Sequence, residues 1–263
     1  MTYRTLAALG SSFAAGPGLE PVDDAAAQRS QRNYPHLLAE MLGAGLRDLT
    51  VSGATTSTIL REPQTGLTGE RFAPQIEGLP HDADLVTVTA GGNDLGFLGR
   101  MILAAVRRVS PEHPLVSMLA REVPDVLAEP GADDVERTTA GLVDIVDETR
   151  RRVPAARVVL VDYLTVIDAV PNEATTRLFS GDEHRALVQT QAALEHAFRR
   201  ASDRAGADLV AVSAASRAHG LGGHKPWVAG LRLESVGGIA GSFHPTAAGM
   251  RFVAERVAAH LGR

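Results

Sequence analysis

Five short apolar runs, each about one strand long and set far apart, do most to narrow the folds open to this chain. They are Leu6 to Leu9, Leu46 to Val51, Leu85 to Ala90, Val158 to Asp162 and Leu209 to Val212. Three are nearly unbroken in apolar residues, which suits strands covered on both faces of their sheet. Between them, apolar residues recur at helical spacing. Leu142, Ile145 and Val146 do so at +3 and +4, and Leu187, Leu194 and Phe198 at +7 and +4. Met250, Val253, Val257 and Leu261 mark one stripe of a terminal helix. Strand alternating with helix predicts an α/β fold of three layers, α/β/α, around a parallel sheet of about five strands. The 263 residues contain no internal repeat and no Pro-, Gly- or Ser-rich linker, so 1–263 is expected to form a single domain.

Composition removes several classes of function. There is no cysteine, which excludes thiol nucleophiles, zinc knuckles, iron–sulfur clusters and disulfides. Net charge is −5 and the 26 basic residues are scattered, so no nucleic-acid partner is expected. No apolar run approaches the ~18 residues of a membrane span. The N-terminus (Met1, Thr2, Tyr3, Arg4) enters an apolar run with no basic region and cleavage site before it. A cytoplasmic protein is expected on that reading, or a secreted one if a leader has been removed.

Ligands of an open parallel sheet bind beyond the carboxyl ends of its strands, so the residues there are the informative ones. Strand 1 is followed by Gly10-Ser11-Ser12-Phe13-Ala14-Ala15-Gly16, strand 2 by Ser52-Gly53-Ala54-Thr55-Thr56, and strand 3 by Gly91-Gly92-Asn93-Asp94. A hydroxyl, a glycine amide and a carboxamide thus reach one sheet edge, a set suited to acyl transfer: one nucleophile, and donors facing a developing oxyanion. Taken singly, each is ordinary. A serine after glycine is commonly a turn or helix cap, Gly53 a tight turn, and Asn93 or Asp94 a cap for the helix entering at Leu95. Two connections exceed what a crossover needs, Leu95 to about Asp134 and the glycine-rich, loop-like Ser213 to Pro245, and both read as site-forming.

A serine nucleophile needs a base. Of nine histidines, His184, His196 and His260 sit in helical patterns and are read as solvated, and His36 near a helix start as structural. His219 and His224 have no carboxylate at metal-ligand spacing and are read as loop residues. His244 differs: it closes the glycine-rich stretch and leads through Pro245 into the last helix at Thr246, so its ring can project over the strand ends from a fixed backbone.

Together, Gly10-Ser11-Ser12, Gly53, Gly91-Gly92-Asn93-Asp94 and Phe243-His244-Pro245 resemble, in order and approximate spacing, the four blocks of SGNH hydrolases, the GDSL-like esterases and lipases. Asn33-Tyr34-Pro35, Ser52-Gly53-Ala54-Thr55-Thr56 and Pro226-Trp227-Val228 are similar to the actinobacterial branch. The resemblance spans nearly the whole chain. It implies a flavodoxin-like α/β/α fold and hydrolysis of a small acyl ester with no metal or organic cofactor. Ser12 would be the nucleophile and His244 the general base. The amides of Ser12 and Gly53 and the Asn93 side chain would form the oxyanion hole.

Two positions depart from the pattern. The first block usually reads Gly-Asp-Ser, and here position 11 is Ser11. The acidic member of the triad usually stands three residues before the histidine, where this chain has Gly241. His244 would then be oriented by a backbone carbonyl, by Ser242, or by a carboxylate such as Glu234. The Met, Leu, Ile and Val side chains of 95–134 are read chiefly as core and otherwise as acyl pocket, and Phe13 and Trp227 as packing or substrate contacts. The oligomeric state is left open.

Rival folds lack their signatures. Ala14 breaks the Gly-x-Ser-x-Gly elbow of α/β-hydrolases, and Gly16-Pro17-Gly18 spoils a dinucleotide fingerprint. Lys225 is the only lysine and follows no phosphate loop. The remaining alternative is an acyl- or glycan-binding SGNH-like protein with little or no turnover, which Gly241 would favour.

Overall fold

The computed structural model describes residues 2–66, 69–123 and 125–262. Its sheet contains β1 (Thr5–Gly10), β2 (Gly45–Asp48), β3 (Leu85–Thr89), β4 (Arg157–Val161) and β5 (Asp208–Val210). The order is β2-β1-β3-β4-β5 and every pairing is parallel. This is the flavodoxin-like arrangement, with its switch point between β1 and β3. All five residues of β3 and the last five of β1 are buried, so their unbroken apolar character reflects cover on both faces.

The helices follow in chain order: α1 (Ser12–Ala15), α2 (Tyr34–Leu42), α3 (Thr56–Leu60), α4 (Phe97–Val109), α5 (Pro114–Glu122), α6 (Ala132–Arg152). They continue with α7 (Glu173–Leu178), α8 (Gly181–Ala205), α9 (Val212–Ala215), α10 (Val236–Gly241) and α11 (Ala247–His260). Helix α11 packs on α2, while α6 packs on α3 and α8. The apolar stripe of the terminal helix lies inside, with Met250, Val253, Val257 and Leu261 all buried. Among the described residues no helix is long and apolar enough to cross a membrane.

Three expectations about elements are corrected. The second strand is regular only to Asp48, because the Asp48 carboxylate accepts hydrogen bonds from the Thr50 amide (3.0 Å) and hydroxyl (2.6 Å) and turns the chain. Pairing with β1 persists beyond that turn through Leu49 N–H to Ala8 O and Val51 N–H to Gly10 O. The 213–245 stretch is not all loop, since it contains α10, capped by Ser235. His184 is buried rather than solvated, on the inner face of α8, whereas His196 and His260 are exposed.

At the switch point β1 and β3 approach too closely for a side chain. A Cβ on Gly10 would lie 2.6 Å from Thr89 O. Gln75 clamps the same residue from below, accepting from Gly10 N–H at 2.8 Å and donating to Gly10 O at 3.0 Å. The turn into Ser12 is therefore held on both sides.

Candidate active site

Ser12 opens α1 directly after β1 and is 6% exposed. As the first helical residue its N–H has no intrahelical partner, and no other described residue accepts from it. Its Oγ likewise has no hydrogen-bond partner among the described residues. The turn beyond β2 brings up Gly53 at φ +85°, a conformation that favours glycine, and its N–H is also unengaged. Asn93, beyond β3, donates from Nδ2 to Ala54 O at 2.8 Å. One amide hydrogen is used in that bond and the second stays available.

Asp94 does not cap the helix that follows it; α4 starts later, at Phe97. Its carboxylate instead takes the Thr56 N–H (3.1 and 3.2 Å) and the Thr56 hydroxyl (2.5 Å) at the start of α3. Burial raises its pKa, and the hydrogen bonds from Thr56 oppose that rise. Asp94 and Asn93 together tie the β3 loop to the loop carrying Gly53, so two of the candidate donors hold a fixed spacing.

The fourth block arrives from the far end of the chain. The His244 ring lies 5.5 Å, centroid to centroid, from Phe13, the neighbour of Ser12. A Cβ on Gly241 would lie 3.2 Å from Pro17 O and 3.3 Å from Gly18 Cα. The end of α10 thus packs on the backbone just past α1, and a side chain at 241 would require that backbone to give by a few tenths of an ångström. His244 Nδ1 lies 2.9 Å from Ser242 O. A carbonyl only accepts, so Nδ1 carries the proton and Nε2 keeps its lone pair. That Nε2 is buried with no hydrogen-bond partner. Burial pushes the imidazole down to about 4, and the Ser242 carbonyl opposes the shift. The Ser242 hydroxyl is engaged elsewhere, with Arg232 N–H at 2.9 Å.

All four blocks therefore meet at one sheet edge, with a hydroxyl, a neutral imidazole and three free N–H groups. A model of the GDSL-like lipase/acylhydrolase family matches residues 8–252. The chain belongs to this family. It is a carboxylic ester hydrolase, similar to Lipase 2 of Streptomyces coelicolor at 32% identity over 97% of this chain and 85% of that one. It is also similar to a lipase of Streptomyces rimosus, at 28% identity over 92% and 81%. Among solved structures, an extracellular lipase from Streptomyces rimosus superposes with a TM-score of 0.73 at 23% identity, covering 97% and 99% of the two chains. Phospholipase A1 from Streptomyces albidoflavus gives 0.69 at 21%, covering 96% and 98%.

In this GDSL-like hydrolase the long 95–134 connection feeds mainly the core. Met101, Leu103 and Val126 are buried there, whereas Met118 and Leu127 are exposed. A cavity of about 250 Å³ beside Asn93 is walled by the same segment, and its lining includes Asp94, Gly99, Arg100, Val123 and Asp134. It is more polar than an acyl tunnel would be. A larger cavity of about 600 Å³, around Thr165, Gln191, Glu195 and Arg217, includes none of the candidate site residues. Phe13 is buried between the rings of Tyr163 (4.4 Å) and His244. Trp227 is stacked between His219 (3.7 Å) and Phe252 (4.1 Å), so both aromatics pack within the protein.

Two residues of the site carried no mark in the sequence reading. Gln75 lies on no strand end and had no signal. Tyr163 had one, because it stands just past β4, at the same edge as the residues that follow strands 1 to 3.

Proposed function

We propose that this hydrolase cleaves carboxylic esters through an acyl-enzyme on Ser12, with His244 as general base and acid. The observation that carries the reading is the His244 Nδ1 contact with the Ser242 carbonyl at 2.9 Å, which leaves Nε2 free to accept a proton. A serine hydroxyl is a weak nucleophile near neutrality unless a base removes its proton in the transition state. Ser12 Oγ attacks the ester carbonyl as Nε2 takes that proton. The alkoxide leaves with the proton returned by the imidazolium, and water then repeats the sequence to release the acid. The charge on the tetrahedral oxygen falls to the Ser12 and Gly53 amides and to the second hydrogen of Asn93 Nδ2. No hydrogen bond joins Ser12 to His244 in the structure, and catalytic contacts of this kind commonly tighten only when substrate binds.

A carbonyl in place of the usual aspartate fixes the same tautomer, which is the part of the acid's role whose loss costs most. It offers the imidazolium less charge stabilisation, so the pair acts as a dyad. Glu234 makes no hydrogen bond to His244 among the described residues.

A fluorophosphonate probe tests the assignment. Ser12 is expected to be labelled, and Ser12→Ala to abolish labelling while the fold stays intact. An unlabelled parent with bound ester and no turnover would make the protein a binding module. Labelling that survives Ser12→Ala would move the nucleophile elsewhere. A chain-length series of p-nitrophenyl esters, run beside a thioester and an acetylated sugar, then assigns the substrate class.

The acid limb of kcat/KM follows protonation of the free base. With His244 held at about 4, kcat/KM is expected to rise through that pH and to be level well before neutrality. A midpoint near the ordinary 6.5 would show the ring in contact with water. The same shift has a linkage consequence. The folded value lies below the unfolded one, so the stability gained by keeping the ring neutral is complete above pH 6.5 and shrinks as the pH falls towards 4.

A further inference from the structure

We propose that the Tyr163 phenol is a positioning group of this active site, bridging the loop that carries Ser12 to the loop that carries Asn93. The inference rests on the reading of Ser12 as nucleophile given above. Tyr163 stands two residues past β4, and its ring crosses the end of β3 to reach the loop after β1. Its hydroxyl accepts the Gly92 N–H at 3.2 Å and shares a 2.8 Å hydrogen bond with Ser11 Oγ. These two partners are the immediate neighbours of Asn93 and Ser12. One oxygen therefore spans the nucleophile loop and the oxyanion loop, adding a side-chain link beyond the last backbone bond between them, Ser11 N–H to Thr89 O at 2.9 Å.

The surroundings leave the phenol one place to be. Tyr163 is 3% exposed and Ser11 is fully buried, so neither has water to replace the other. A Cβ on Gly92 would lie 2.8 Å from Tyr163 Cε1, so position 92 is glycine to admit the ring. On its other side the ring lies 4.4 Å from Phe13 at 31°, and Phe13 in turn faces the His244 imidazole. Phe198 backs the ring at 6.2 Å. The fourth block thus touches the first through an aromatic pair that ends in the same tyrosine. Burial pushes the phenol up, further from ionisation, so it stays a hydrogen-bonding group across the working range.

The test is Tyr163→Phe, which keeps the ring and its stacking and removes one oxygen. Per fluorophosphonate-titrated site, kcat is expected to fall about tenfold or more at nearly constant KM, the scale on which supporting hydrogen bonds behind a reacting group act. The probe's labelling rate should fall with it. The acid limb of kcat/KM should keep its midpoint, since the bridge does not touch His244 Nε2. A merely structural tyrosine gives a different result: a lower Tm, fewer titratable sites, and unchanged kcat in each. That outcome overturns the proposal. Should Tyr163→Phe fail to fold, Ser11→Ala removes the nucleophile-loop anchor while leaving the phenol on Gly92. A smaller loss of kcat at unchanged KM supports the bridge, and an unchanged kcat overturns it. A parent enzyme that neither labels nor turns over defeats the reading of the site together with the bridge, whereas a normal parent with a normal Tyr163→Phe defeats the bridge alone.

Discussion

Ser12→Ala and His244→Ala are each expected to lower kcat about 10⁶-fold, and the double variant to cost little more than either alone. The reason is that the two side chains act on one proton in one step. Without the hydroxyl there is nothing for the base to deprotonate. Without the imidazole, Ser12 Oγ has no acceptor among the described residues. The His244 Nε2 is buried with no hydrogen-bond partner, whereas His36 is bound to Asn33 at 2.8 Å and His219 is stacked on Trp227. Steady-state turnover of a p-nitrophenyl ester by the three variants, with circular dichroism to verify folding, measures the cycle. Losses that multiply in the double variant would mean that the residues serve separate steps, and the dyad would have to be given up.

Asn93→Ala is expected to lower kcat about 10²–10³-fold with little change in KM. The oxyanion exists only beyond the ground state, so a donor aimed at it stabilises the transition state and not the bound ester. Asn93 has a second duty, since its Nδ2 also holds Ala54 O at 2.8 Å and so fixes the turn carrying Gly53. Removing it therefore weakens two donors at once. The same turn keeps a second tether through Asp94 and Thr56, so the fold should survive, and Tm provides the check. A change confined to KM would assign Asn93 to ground-state binding.

The candidate site was legible where chemistry lies next to a strand end. Ser12, Gly53 and Asn93 each follow a strand by a few residues, and parallel strands must deliver those residues to one edge. His244 was legible for a related reason, since Pro245 and the capped start of α11 fix where its backbone stands. Asp94 was misread because a cap looks local in sequence, whereas its partner, Thr56, is 38 residues away. Helix α10 was missed because glycine-rich sequence carries almost no helical propensity, and contact between Gly241 and the Pro17–Gly18 backbone depends on that lack of side chains.

By itself the sequence determined the layering and strand count, and which four blocks could carry acyl chemistry, because periodicity and strand-end composition are local properties of a chain. Only the three-dimensional structure decided which group meets the imidazole Nδ1 and which side chain meets Ser11. Those answers are a backbone carbonyl, which every residue possesses, and a phenol 152 residues from the serine it meets. The first is a contact between residues two apart, one of several options that residue types alone leave open, and the second is set by where two distant segments pack.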